Sequence, residues 1–164
     1  MKRRSIPTRF GTLVVTEDAG AITHLHWGQD TLHQDKSALL DEAEAQLRAY
    51  DAGRLTQFTL PLRIGGSATL QAVCAEMSAI PFGDTVTYGD IATKLAIPAQ
   101  VVGQACGQNP VPVIVPCHRV MGAKGLTGYS GAGGVETKVA LLRHEGAAGL
   151  LIEFSGSSPL VCTM

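Results

Sequence analysis

One stretch constrains this chain more than any other: Asn109-Pro110-Val111-Pro112-Val113-Ile114-Val115-Pro116-Cys117-His118-Arg119-Val120. Its prolines fix φ and withdraw backbone donors, so it reads as a rigid, apolar segment fit for burial that delivers a thiol and an imidazole at its end. On an extended segment adjacent side chains point to opposite faces, which makes a direct bond between Cys117 and His118 awkward. A bridging water or an irregular backbone is needed for one to serve the other. By residue type alone, Cys117 suits an inert core thiol as well as a nucleophile.

An imidazole that takes a thiol proton needs a third group, normally a carboxylate, to orient it and stabilise its charge. Glu145 is the candidate. It lies near the end of Glu136-Thr-Lys-Val-Ala-Leu-Leu-Arg-His-Glu-Gly146, whose acidic start, basic last turn and following glycine are helix-end signals. A carboxylate at that end opposes the helix dipole, which hints at a partner, although a solvated surface position is the commoner fate of glutamate.

The chain has 164 residues, room for one domain or two small ones. A hydrophobic fraction of 45% against 16% charged residues excludes the disordered class. The 13 Lys and Arg nearly balance the 14 Asp and Glu, so the basic footprint of many nucleic-acid binders is missing and any DNA contact must be short and helped by backbone groups. Met1-Lys2-Arg3-Arg4 is followed by no apolar signal-peptide core, and no stretch reaches the roughly 18 apolar residues of a membrane span. Cys74, Cys106, Cys117 and Cys162 show no Cys-x-x-Cys spacing and form no zinc pattern with His24, His26 and His33. Reduced thiols, a cytoplasmic setting, no bound metal and no membrane partner are expected.

Asp18-Ala19-Gly20 between two β-favouring runs, Gly11 to Val15 and Ala21 to Trp27, reads as a hairpin. Leu39, Leu40, Ala43, Leu47 and Tyr50 recur at helical spacing over 37–50, and Leu70, Val73, Cys74 and Met77 over 67–80. Thr87 followed by Asp90 predicts a capping box for a helix from Tyr88 to about Leu95. Pro98 suits the first turn of another, so the pair makes a helix-turn-helix candidate. On the second helix Gln100, Gly103, Gln104 and Gly107 share a small, polar face that would let another backbone approach, although Gly103 could equally serve packing within the protein. Residues 155–164 read as a frayed tail.

The run Pro116-Cys117-His118-Arg119-Val120 resembles the active-site signature of the O6-alkylguanine-DNA alkyltransferases, or methylated-DNA-protein-cysteine methyltransferases. The likeness extends through Phe10-Gly11, Leu60-Pro61-Leu62, Tyr88-Gly89, Asn109-Pro110, Tyr129-Ser130 and Leu141-Leu142-Arg143-His144-Glu145-Gly146. It implies an α+β protein: an N-terminal ribonuclease H-like α/β domain over 1–64, then a mostly helical domain over 65–164 carrying the helix-turn-helix and the reactive cysteine. The implied activity is a single, irreversible transfer of a methyl or other alkyl group from O6 of guanine, with O4 of thymine a further candidate, to Cys117. The partner would be double-stranded DNA containing O6-alkylguanine, bound by a monomer without a cofactor. The lesion would be flipped out of the duplex, since its alkyl carbon is sterically unreachable inside the stack.

By the same resemblance, His118 is the base acting through water, Glu145 the acid that orients it, Asn109 the hinge and Tyr88 the phenol that assists guanine departure. Val120, Tyr129 and Ser130 would line the base pocket, and Arg119 would join the DNA-facing set. Two features depart from the family pattern. Gln100 stands where relatives commonly carry an intercalating arginine, and Gly131-Ala132-Gly133-Gly134 is longer than the usual glycine turn. A lesion binder without transfer and a multiple-turnover Cys-His hydrolase are the rival readings.

Overall fold

The computed structural model describes residues 1–28, 32–122 and 134–147. Alternating apolar residues and a glycine turn build its first element, an antiparallel meander of β1 (Lys2–Thr8), β2 (Gly11–Asp18) and β3 (Ala21–Trp27) in the order β1-β2-β3. The expected hairpin turns at Ala19 and Gly20, both at positive φ (48° and 82°), the conformation that matches the right-handed twist of paired strands. A bulge at Thr16/Glu17 accommodates one extra residue in β3.

Strand β1 has no counterpart in the sequence reading, where its Lys2-Arg3-Arg4 start stood out only as charge. Burial of the third cation explains it. Arg4 pairs with Asp41 and Glu44, both at 3.0 Å, and also donates to the carbonyl of Asp35. The two acids lie on α1 (Ala38–Asp51), so the strand and helix are pinned together.

Helix α1 begins at an N-cap, Ser37, whose side chain accepts from the amide of Leu40. Its apolar stripe, Leu40, Ala43, Leu47 and Tyr50, is buried. Both outer edges of the meander are covered rather than left as open pairing surfaces. On one side the Ser5 amide donates to His33; on the other Ile22 donates to Pro61 and Leu25 to Pro110. That last bond, 2.8 Å long, ties the sheet to the proline-spaced segment.

Beyond it, α2 (Ala68–Ser78) starts at the N-cap Ser67 and buries Leu70, Val73, Cys74 and Met77. The two-residue β4 (Val86–Thr87) leads into α3 (Tyr88–Leu95), where Thr87 and Asp90 form the anticipated capping box. Ala96, Ile97 and Pro98 turn the chain into α4 (Ala99–Gly107), with Pro98 just ahead of the first helical residue as its N-cap. Strand β5 (Val120–Met121) pairs in parallel with β4, and α5 (Val135–His144) follows. The architecture is thus mixed α/β, and one apolar core runs from Ile6, Leu13 and Leu47 to Val73, Val102, Val115 and Leu141. Among the described residues no helix is long and apolar enough to cross a membrane.

Candidate active site

The segment expected to be extended is instead a series of tight turns. Asn109, itself buried, braces them: its Nδ2 donates to the Val115 carbonyl (2.9 Å) and its Oδ1 accepts from the Val111 amide (3.0 Å). The Val115 amide donates to Val111 and the Cys117 amide to Val115. Inside this frame Val113 takes φ 73°, a left-handed conformation that a β-branched residue keeps only when its surroundings impose it. The backbone then makes one 3-10 turn over Cys117–Arg119. With three residues per turn, successive side chains fan out in separate directions, so Cys117, His118 and Arg119 each reach a different neighbour.

Glu145 is where two of those directions and a third from α1 converge. Its Oε2 accepts from His118 Nε2 at 2.8 Å, from the Tyr50 hydroxyl at 2.6 Å and from Arg119 Nη2 at 3.0 Å, while Oε1 accepts from Arg119 Nε at 2.8 Å. The remaining arm of Arg119 donates to the carbonyl of Ile80. Glu145 caps the C-terminal end of α5, where the dipole repels a negative charge; the bidentate guanidinium is the compensation. Burial disfavours the Glu145 carboxylate, but the hydrogen bond from His118 and the Arg119 charge outweigh it and hold the group well below the usual carboxylate range.

This arrangement fixes the His118 tautomer. An ionised carboxylate only accepts hydrogen bonds, so Nε2 carries the hydrogen and Nδ1 presents its lone pair. Nδ1 is fully buried and has no hydrogen-bond partner among the described residues. Burial lowers the His118 pKa below its ordinary value, against the opposing pull of Glu145. The ring is therefore a neutral base, with its basic nitrogen turned away from the acid that holds it.

A second buried cation lies nearby. Lys138, on α5, donates from Nζ to the Val120 carbonyl at 2.7 Å and stands over the Tyr88 ring, 5.9 Å from its centre. Burial lowers its pKa, while the Cys117 and Cys106 thiolates would raise it. By reciprocity the ammonium favours a thiolate at Cys117. Burial pushes Cys74 up to about 11 and Cys106 up to about 12, with the charge of Cys117 adding to both, as inert core thiols require.

Among the other expected site residues, Tyr88 is half-buried at the start of α3. Val120 is buried, its amide donating to Cys117 and its carbonyl held by Lys138. Gln100, Gln104 and Gly107 are exposed on α4 and Gly103 is half-exposed. Among the described residues, a Cβ built on Gly103 or Gly107 would meet nothing within 4 Å, so tight packing against them does not account for either glycine. Arg119, expected in the DNA-facing set, is 6% exposed, and its guanidinium is taken up by Glu145 and the Ile80 carbonyl. Tyr129, Ser130 and residues 131–133 lie outside the described residues, as do Cys162 and the tail.

Two site residues went unnoticed in the sequence. Lys138, Leu141, Leu142 and Glu145 follow an i, i+3, i+4, i+7 pattern, so the buried stripe of α5 carries both a cation and an anion; that was the available signal. Tyr50 lay on the predicted apolar stripe of α1 and was read as packing alone.

Residues 68–147 match the family model described as the DNA binding domain of 6-O-methylguanine DNA methyltransferase. The chain is 38% identical over 151 residues to the methylated-DNA–protein-cysteine methyltransferase of Mycobacterium tuberculosis, covering 87% of this chain and 90% of that protein. It is likewise 38% identical to the constitutive methylated-DNA–protein-cysteine methyltransferase of Bacillus subtilis, over 84% of this chain and 91% of that one. The crystal structure of Mycobacterium tuberculosis OGT in complex with DNA superposes with a TM-score of 0.80 at 38% identity, covering 90% of this chain and 94% of that one. The likeness to these proteins thus runs along nearly the whole sequence, on a mixed α/β fold. The chain belongs to the methylated-DNA–protein-cysteine methyltransferase family.

Removing one partner of a buried ion pair leaves the other charge uncompensated, which costs about 3–5 kcal/mol. Arg119→Met is expected to lower stability by that amount in denaturant titration. Adding Glu145→Gln to it should recover part of the loss, because no charge then remains to be compensated.

Proposed function

We propose that this protein repairs DNA by moving an alkyl group from O6 of a flipped-out guanine onto Cys117, once per molecule. The observation that carries this reading is the lone buried nitrogen of His118: Nε2 is fixed by Glu145, which leaves Nδ1 as a base. A water between Nδ1 and the thiol carries the Cys117 proton to His118. The thiolate sulfur then attacks the alkyl carbon in line; the carbon–O6 bond breaks as the S–C bond forms, and its electron pair leaves with the guanine. Tyr88 assists that departure by donating to the base. The S-alkylcysteine does not turn over, in contrast to a hydrolase.

Asn109 serves as the hinge that sets the 109–117 turns, and the backbone of Val120, with Tyr129 and Ser130, lines the base pocket. The pair α3 and α4 acts as the helix-turn-helix, with Gln100, Gly103, Gln104 and Gly107 toward the duplex. With no basic residue between Pro98 and Gln108, this contact relies on close approach rather than charge, and binding depends weakly on salt. Gln100 takes the place of the usual arginine beside the flipped nucleotide. We read 1–64 as a ribonuclease H-like α/β unit and 65–164 as the DNA-binding and transfer unit of a monomer.

Incubation with duplex DNA bearing O6-methylguanine is expected to add one methyl group per protein to the peptide containing Cys117, and Cys117→Ala should abolish it. Tight lesion binding that leaves Cys117 unmodified would contradict transfer. Gly103→Val is expected to leave the fold intact, since a Cβ there meets nothing within 4 Å among the described residues. It should weaken binding to lesion duplex by about tenfold or more, some 1.4 kcal/mol, as read by fluorescence anisotropy; unchanged affinity would remove α4 from the interface.

A further inference from the structure

The phenol of Tyr50 has no role in the transfer just described, yet it reaches the centre of the proton-transfer set. It comes from α1, outside the residues matched by the family model, and is 2% exposed. Its ring packs edge-on against Phe82 and His144 and tilted against Phe58 and Phe10. Phenylalanine would satisfy that surrounding as well. What phenylalanine cannot supply is the hydroxyl, which donates to Glu145 Oε2 at 2.6 Å. The His118 ring donates to the same oxygen at 2.8 Å. Tyr50 is held at a second point, its carbonyl accepting from His144 Nε2 at 2.5 Å, so the hydroxyl is presented from a fixed backbone.

Two donors on one carboxylate oxygen compete: each spreads the negative charge and leaves less of it for the other. We propose that Tyr50 is a positioning residue whose hydroxyl, by sharing Glu145 with His118, keeps His118 unprotonated and ready to take the Cys117 proton. The inference rests on the repair reading and adds to it that a residue of the N-terminal part sets the basicity of the catalytic histidine. Burial, followed by the Glu145 charge, pushes the Tyr50 pKa far above its ordinary value, so the phenol remains a donor throughout the working range. The other charged groups bearing on the set are Arg119 from the 3-10 turn and Lys138 from α5, which both disfavour an imidazolium, and Asp51 from α1, which acts on Tyr50.

The sign follows from the exchange of donors. Without the hydroxyl, Glu145 binds the His118 ring more strongly and favours its protonated form, so more of the base is lost at a given acidic pH. Single-turnover transfer would be measured at saturating O6-methylguanine duplex from about pH 5 to about pH 9, where the acidic limb reports the protonation of the base. Tyr50→Phe is expected to move that limb to higher pH by about half a unit or more, with a much smaller change in the plateau. Replacing Tyr50 with 3-fluorotyrosine, a stronger donor of nearly the same shape, should move it to lower pH, and this variant carries the test if Tyr50→Phe does not fold. Shifts of opposite sign support the inference, since lost packing would lower the rate equally at every pH. Limbs that superimpose on the wild type overturn it while leaving the repair reading intact. A wild-type protein that transfers nothing overturns that reading, and this inference with it.

Discussion

The site depends on a carboxylate kept charged where water does not reach. Glu145 is 4% exposed and closes a helix whose dipole repels it, so by itself it would take up a proton rather than remain an anion. The Arg119 guanidinium, bound through two nitrogens, supplies the compensating charge, and Tyr50 and His118 supply the remaining donors. Because the anion is already satisfied, it orients the imidazole without drawing a proton onto it. A less satisfied carboxylate in the same place would favour an imidazolium, which is no longer a base.

That requirement shapes the surrounding fold. Arg119 can reach Glu145 only because a 3-10 turn separates the directions of three consecutive side chains, and the turn follows from the Asn109 brace and the strained Val113 before it. The meander contributes as well: the Leu25 amide fixes Pro110, and α1 delivers Tyr50. In the proposed function, chemistry and DNA approach fall on different surfaces, the first buried among Cys117, His118 and Lys138, the second on the exposed face of α4.

Local patterns were the legible part of the sequence. The Asp18-Ala19-Gly20 turn, the apolar stripes of the helices that start after Ser37 and Ser67 and the Thr87–Asp90 box depend on neighbours within a few residues, and the structure has them where spacing predicted. Strand β1 was not legible, because its burial depends on Asp41 and Glu44, more than thirty residues away. The Arg119 ion pair was illegible for a similar reason: the carboxylate it meets lies 26 positions further on. Tyr50 sat on a stripe read as apolar and Lys138 in a segment read only for its helix ends, and periodicity marks a buried face without saying what chemistry the face performs.

Nitrogen-detected NMR of the His118 ring addresses the central claim most directly, since it distinguishes the two neutral tautomers from each other and from the imidazolium. At neutral pH the account predicts a hydrogen on Nε2 and a bare Nδ1. A hydrogen on Nδ1, or on both nitrogens, would contradict it, because neither form can accept the Cys117 proton at the nitrogen that Glu145 leaves open.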